Sequence, residues 1–261
     1  MAPPPRPSST SKRSPASVPR APRLRYAVGG AAVLALAAAA VVVVLVRAGT
    51  LPFNYPDRAE YPVWGLDVSH HQGPIRWAEV DTARYAFVYI KSTEGGDHSD
   101  RRFRENWEGA GAAGLARGAY HFFRFCTPAA AQARHFLATL PADAELPPAI
   151  DVEIGGNCRD VPPADTVTAR LAALLTAVEE ATGRAPLVYT DRTTYAAFMT
   201  RGFERYPLWF NDKYREPREP FGRTWTLWQF TAFERAPGID GGVDLNAFAG
   251  SRAAFDQFAR R

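Results

Sequence analysis

Asp151 and Glu153 stand two positions apart at the end of an apolar run, Pro147-Pro148-Ala149-Ile150-Asp151-Val152-Glu153. Side chains alternate faces along a strand, so a strand over 147–153 puts both carboxylates on one face and Val152 on the other. No cation adjoins them in sequence. Two like charges on one buried face raise the pKa of one carboxyl. A carboxyl so shifted can act as a general acid near neutral pH. An isolated Asp-x-Glu is short and common, however, and a solvated strand end has the same spelling. Its weight depends on what the other elements bring to the same place.

From Tyr61 onward short apolar runs alternate with helical patterns. Strands are expected over 63–69, 85–93, 116–123, 147–153, 186–191, 207–212, 224–231 and 243–248. The second of these is rich in aromatic and β-branched residues. Helices are expected over 75–82, 100–114, 127–140, 165–182 and 192–201. Thr127 reads as an N-cap with Pro128 at the first helical position. Val167, Leu171, Leu174, Leu175 and Val178 form one apolar stripe at helical spacing, and Gly183 fits the C-terminal cap. After residue 201 the helices thin out. Alternation of strand and helix argues for a parallel sheet. Eight strands in roughly 200 residues argue for an α/β fold of TIM-like β/α barrel type, with reduced helices in its C-terminal part. A doubly wound open sheet is the alternative.

Barrel enzymes assemble their sites at the carboxyl ends of the strands. Polar residues recur there: Asp67 and Ser69, Lys91 and Glu94, Tyr120 and His121, Asp151 and Glu153, Tyr189 and Asp191, Trp209 and Asn211, Trp228 and Gln229, Asp244 and Asn246. Any one of these can be a cap or a solvated residue. A ring of acids and aromatics at one mouth suits a carbohydrate, with carboxylates for chemistry and flat rings for sugar faces.

These fragments have a familiar order. Gly65-Leu66-Asp67-Val68-Ser69-His70-His71-Gln72-Gly73 closely resembles the opening strand of family 25 glycoside hydrolases, the Chalaropsis-type lysozymes. Tyr89-Ile90-Lys91-Ser92-Thr93-Glu94-Gly95, Gly118-Ala119-Tyr120-His121-Phe122 and Ile150-Asp151-Val152-Glu153 resemble the second, third and catalytic fourth strands. Trp225-Thr226-Leu227-Trp228-Gln229-Phe230 and Gly242-Val243-Asp244-Leu245-Asn246 resemble the last two. The resemblance implies an N-acetylmuramidase that cuts the β-1,4 bond of peptidoglycan glycan strands. It implies Glu153 as general acid and Asp151 as the carboxylate that holds the substrate's N-acetyl group. That group then attacks the anomeric carbon, with retention of configuration. Asp67 and Asp244 complete the acidic ring, and Tyr120, Trp209 and Gln229 are implied substrate contacts, with Tyr189 and Asn211 beside them. Asn211 departs from the family, which usually has a small residue there, and the loop 154–158 is also particular to this chain. No cofactor and no metal are expected. His70 and His71 lack ligand spacing and, as adjacent strand-end residues, are expected to point apart. A water-activating, inverting glycosidase and a membrane-tethered protein that binds glycan without cutting it are the rival readings.

The chain's formal charge of +4 sits in its N-terminal segment. Residues 1–25 carry six basic residues and no acid, whereas 48–261 hold 24 basic and 27 acidic residues, a net of −3. A nucleic-acid reading would want a basic face on the folded domain, and no basic run is seen there. Residues 1–25, rich in Pro, Ser, Ala and Arg, are expected to be a disordered cytoplasmic tail. Residues 26–46 contain no charge between Arg25 and Arg47. As a helix they span about 31 Å, the thickness of a bilayer core. The basic flank keeps that side in the cytoplasm, which makes the chain a single-pass protein of a bacterial inner membrane with its catalytic domain in the periplasm or outside. A cleaved signal peptide competes, with Val46-Arg47-Ala48 as a weak cleavage site, but the run exceeds the usual ~7–15 apolar residues. Residues 47–60 read as a linker and 61–261 as the catalytic domain. Cys126 and Cys158 each follow a strand end on neighbouring strands, and outside the cytoplasm a disulfide between them is expected. Oligomeric state is not legible.

Overall fold

The computed structural model describes residue 1, residues 22–48, residue 51 and residues 53–260. The chain divides into two compact units, Met1–Val44 and Leu45–Arg261. The helix α1 (Pro22–Arg47) begins ahead of the expected span and takes in residues 22–25, which had been expected to be disordered. The rest of that basic tail falls on residues 2–21, outside the described residues. Within α1, Val28–Arg47 has a mean hydropathy of 2.7 and none of it is buried in protein. Its length and composition are those of a bilayer span.

The second unit is a closed barrel. Its staves are β1 (Trp64–Val68), β2 (Phe87–Glu94), β4 (Ala116–Phe122), β5 (Ala149–Val152), β6 (Leu187–Asp191), β7 (Leu208–Asn211), β8 (Leu227–Glu234) and β9 (Val243–Phe248), and β9 returns to pair with β1. A two-residue strand, β3 (His98–Ser99), folds back on β2 as a hairpin. Pairings from β1 to β8 are parallel, but β9 runs antiparallel to both neighbours. This corrects the all-parallel expectation. Only eight residues, 235–242, join β8 to β9. A parallel crossover needs about a dozen or more, so the connection had to be a hairpin.

Helices α2 (Phe103–Ala112), α3 (Ala129–Thr139), α4 (Ala164–Thr182) and α5 (Arg192–Phe198) clad the barrel from β2 to β7. Thr127 does not cap α3, because Pro128 occupies the N-cap position. Gly183 closes α4 in the left-handed conformation, as its sequence position required. Beyond β7 the only α-helix among the described residues is α6 (Arg252–Arg260), which the apolar patterning above did not identify. Its Phe255 stacks on Phe87 at 5.3 Å and meets Phe248 edge-on, closing the barrel's lower end.

Inside the barrel, Phe87, Tyr89, Leu187, Leu227 and Trp209 are buried together. Gly65 and Gly118 face Phe87 and Tyr89, whose rings lie where a Cβ would stand, so these two glycines make room for the aromatic filling. Among the described residues no α-helix packs over the outer wall of β1 and β8. Aromatic residues of the preceding segment take that place: Tyr55 packs edge-on to Phe230 at 5.3 Å, and Arg58 lies 3.8 Å over Trp64. The Tyr55 hydroxyl bonds Glu234, and the Tyr61 hydroxyl donates to Glu216 at 2.6 Å. Part of the expected linker is therefore packed against the barrel wall.

Candidate active site

The carboxyl ends of the parallel strands surround a cleft of about 310 Å3. Asp67, Asp151, Glu153 and Asp244 all line it, together with Tyr120, Tyr189, Trp209, Asn211 and Gln229. The strand β5 ends at Val152, so Glu153 is the first residue past it yet still faces the cleft with Asp151. Asp244 arrives differently. It lies near the start of β9, paired with Asp67, and reaches the mouth because that strand runs backwards.

Hydrogen bonding fixes the orientation of Asp67. The Trp209 indole can only donate, and it donates to Asn246 Oδ1 at 2.7 Å. The Asn246 amide nitrogen must then face the other way, and it donates to Asp67 Oδ2 at 2.8 Å. A second arm converges on the same oxygen: Asn211 donates to the Tyr189 hydroxyl at 2.8 Å, that hydroxyl donates to Gln229 Oε1 at 3.0 Å, and Gln229 Nε2 donates to Asp67 Oδ2 at 3.0 Å. Asp67 Oδ2 receives two N–H groups, which favour the ionised form and leave Oδ1 as the oxygen that can carry a proton. Burial pushes the Asp67 carboxyl up, and the two amides oppose that shift. Asn211, the departure from the family pattern, is the outer link of this chain.

The other acids lack such support. Burial, joined by the charge of Glu153, pushes Asp151 well above the usual carboxylate range. Its Oδ1 is buried with no hydrogen-bond partner among the described residues. Burial also pushes Asp244 up, with the charge of Asp67 behind it. Glu153 is pushed up to about 7, first by burial and then by Asp191, against the pull of Lys213. A carboxyl of that kind holds a proton where most carboxylates have lost theirs.

Trp209 is 2% exposed, wedged between Tyr89 and Tyr189, so it forms the cleft's floor and leaves no open ring face for a sugar. His121 does not reach the mouth. It is fully buried behind β4, between Thr93 Oγ1 at 2.8 Å and Gln132 Oε1 at 3.0 Å, and burial lowers its pKa to about 4. Since Tyr120 faces inward, alternation sends its neighbour outward. His70 and His71 do not point apart: they sit on a short 3-10 turn with their rings 4.0 Å apart, and His71 lines the cleft. His70 Nδ1 lies 2.7 Å from the buried Asp100. Lys213, on the loop after β7, also lines the cleft and was missed because a loop lysine carries no periodic signal.

The rim beside Glu153 is tied down. Cys126 and Cys158 are joined by a disulfide, Cα to Cα 6.1 Å. Asn157 accepts from the Phe125 and Cys158 amides and donates to the carbonyls of Phe123 and Glu153, the last at 3.0 Å. This accounts for the loop that departs from the family pattern: it holds the backbone of Glu153. Among the described residues no group of three or more His, Cys, Asp or Glu side chains is placed to hold a metal ion.

Comparison with known proteins agrees with this geometry. The family model for glycosyl hydrolases family 25 matches residues 66–239. Lysozyme M1 of Streptomyces globisporus is 35% identical over 210 residues, covering 73% of this chain and 69% of that protein. Among solved structures, a family 25 glycosyl hydrolase from Bacillus anthracis superposes with a TM-score of 0.73 at 30% identity, covering 79% of this chain and 97% of that one. A bacterial lysozyme from Streptomyces coelicolor gives 0.70 at 33% identity, covering 76% and 96%. The family model takes in Asp67, Asp151 and Glu153 of the cleft, and this chain belongs to glycosyl hydrolase family 25.

Proposed function

We propose that this protein is a membrane-tethered N-acetylmuramidase that cuts peptidoglycan between N-acetylmuramic acid and N-acetylglucosamine with retention of configuration. Family membership and its lysozyme relatives make it a glycosidase of the cell wall. The finer reading rests chiefly on one observation: a proton-holding Glu153 shares a cleft with an Asp151 oxygen that lacks a partner.

Glu153 protonates the bridging oxygen as the bond to the anomeric carbon breaks. The acetamido oxygen of the muramyl sugar attacks that carbon from the opposite face, forming a cyclic oxazolinium. Asp151 accepts the acetamido N–H and stabilises the positive charge on the ring. Water then adds at the anomeric carbon, Glu153 takes its proton, and the acetamido group is released. Asp67 and Asp244 supply the negative surroundings that keep Glu153 protonated until the substrate takes the proton.

The tether follows from α1. Its apolar run suits a bilayer and its basic flank suits the cytoplasmic side, which leaves the barrel outside the cytoplasm. A disulfide at the rim fits that compartment.

The test is reducing-end release from purified peptidoglycan by the full-length protein in detergent, beside Glu153→Gln, with the anomer of the first product resolved by NMR. The wild type is expected to release β-configured muramyl ends and the variant to lose 100-fold or more. Equal release by both proteins removes Glu153 from the mechanism, and an α first product replaces the acetamido attack by direct water attack.

A further inference from the structure

Next to the acidic cleft lies a second groove of about 480 Å3, and the two share Asn211 and Lys213 in their walls. Its remaining wall comes from the loops after β6 and β7, including Arg192, Asp212, Tyr214 and Arg215. The character of the two spaces is opposite. The first gathers four carboxyls around one lysine, while the second presents two arginines and that same lysine.

The groove's own acids offset these cations only in part. Asp191 is occupied as the N-cap of α5, its Oδ1 accepting from the Thr193 and Thr194 amides at 2.7 and 2.9 Å and its Oδ2 from the Thr194 hydroxyl at 3.0 Å. Asp212 Oδ1 accepts from the amides of Tyr214 and Arg215 at 3.1 and 3.2 Å. Its Oδ2 stands 3.7 Å from Arg192 and 3.8 Å from Arg215, beyond hydrogen-bond length. Among the described residues neither guanidinium has a closer acidic partner, and their side chains are 50% and 74% exposed. Arg192 is held in place by the rings of Phe210 and Phe221, each 5.7 Å away, rather than by a carboxylate. Tyr214, 81% exposed, offers a flat face at the edge of the groove.

Guanidinium groups with free donors recognise carboxylates in forked geometry. A muramyl sugar carries its carboxylates on a short peptide attached through the lactyl ether. An anionic branch of that kind is repelled by the four carboxyls of the catalytic cleft and must leave it sideways. We propose that the groove lined by Arg192, Tyr214 and Arg215 receives this carboxylate-bearing peptide stem while the glycan lies in the acidic cleft. The inference rests on the muramidase reading for its substrate and goes beyond it in assigning stem recognition to the barrel itself. The enzyme is then selective for glycan that still bears its stems.

The test compares soluble glycan strands bearing stems with the same strands stripped by an amidase, using full-length protein in detergent. For the wild type, kcat/KM is expected to be about tenfold higher on stem-bearing strands, matching two exposed charge-assisted contacts of roughly 0.7 kcal/mol each. Arg192→Gln with Arg215→Gln should bring that value down to the stripped-strand rate and leave the stripped-strand rate itself unchanged. Arg215→Glu should lower it further, and 0.5 M salt should compress the wild-type preference. Stems whose carboxylates are amidated should behave as stripped strands. Equal wild-type rates on both substrates, or a preference that survives the double substitution, would overturn the assignment. Calorimetric binding of a soluble muramyl peptide, against N-acetylmuramic acid alone, separates the two claims. Arginine-dependent binding without cleavage leaves the groove standing and removes the muramidase reading, whereas no preference for the peptide removes the groove.

Discussion

The two ends of this barrel are built from the same strands, yet they do opposite things. At the lower end Phe87, Phe248 and Phe255 pack ring against ring in a mainly apolar cluster. At the mouth, β1 carries Asp67 two positions beyond the Gly65 that makes room for Phe87, and β9 carries Asp244 at the end opposite to Phe248. The lower end is a hydrophobic core of the ordinary kind, which holds the staves together. The mouth buries acids that prefer water, and a local stability cost follows from each one. A closed barrel tolerates such a mouth because its hydrogen-bonded ring and its sealed base supply the stability the mouth lacks. The contrast shows where function sits: in the layer where folding alone would have placed leucine.

The largest stability effect should come from the base. Phe255→Ala opens a cavity beneath Phe87 and should cost about 3–5 kcal/mol. Its chemical denaturation midpoint should fall sharply while kcat of the folded enzyme stays close to wild type. A matching loss of kcat would mean that the two ends are not separable.

The mouth should respond in the opposite direction. Glu153 has a folded pKa of about 7 against 4.5 in the unfolded chain, so the native state binds the extra proton between those values. Stability from this group is complete below pH 4.5 and is lost as pH rises through 7. Glu153→Gln removes the penalty and should stabilise the protein above pH 7 by up to about 3 kcal/mol, with no gain below pH 4.5. Thermal melts of both proteins across pH 4 to 9 would show it, and a variant less stable at every pH would contradict the burial argument.

A smaller effect should come from the link between the two layers. Trp209→Phe keeps one six-membered ring and deletes the pyrrole ring with its N–H, which leaves a small cavity and Asn246 Oδ1 without its donor. The cost should be about 1–3 kcal/mol. The amide of Asn246 is then free to turn, so kcat should fall more than the melting temperature implies. Unchanged kcat would show that the orientation of Asp67 does not depend on this chain of donors.

Much of the mouth was legible before any coordinates, for a physical reason. Strand alternation is a strict period of two, so Asp151 with Glu153, Trp209 with Asn211, and Asp244 with Asn246 all follow from spelling. The same rule, applied to Tyr120, would have sent His121 outward. The direction of β9 was not in its own residues, since an alternating strand reads alike both ways, although the short connection 235–242 held the answer. The helix α6 carries Phe255 and Phe258 three apart, enough for one face but too short a stretch to stand out. The packing of Tyr55, Arg58 and Tyr61 was hidden because two prolines made their segment look like a spacer. The basic groove was hidden for a different reason. Arg192 comes from the start of α5 and Lys213 and Arg215 from the loop after β7, and only the pairing of β6 with β7 brings them together.

The account depends most on the proton of Glu153. The pH dependence of kcat/KM on soluble glycan strands, measured for the wild type and for Asp67→Asn, tests it most directly. Activity of the wild type should fall on an alkaline limb centred near pH 7, and neutralising Asp67 should move that limb to lower pH, because its charge helps hold the proton in place. A wild-type limb near the ordinary carboxylate range, or one that does not move when Asp67 is neutralised, would contradict the claim that the acids of this mouth act on Glu153 together.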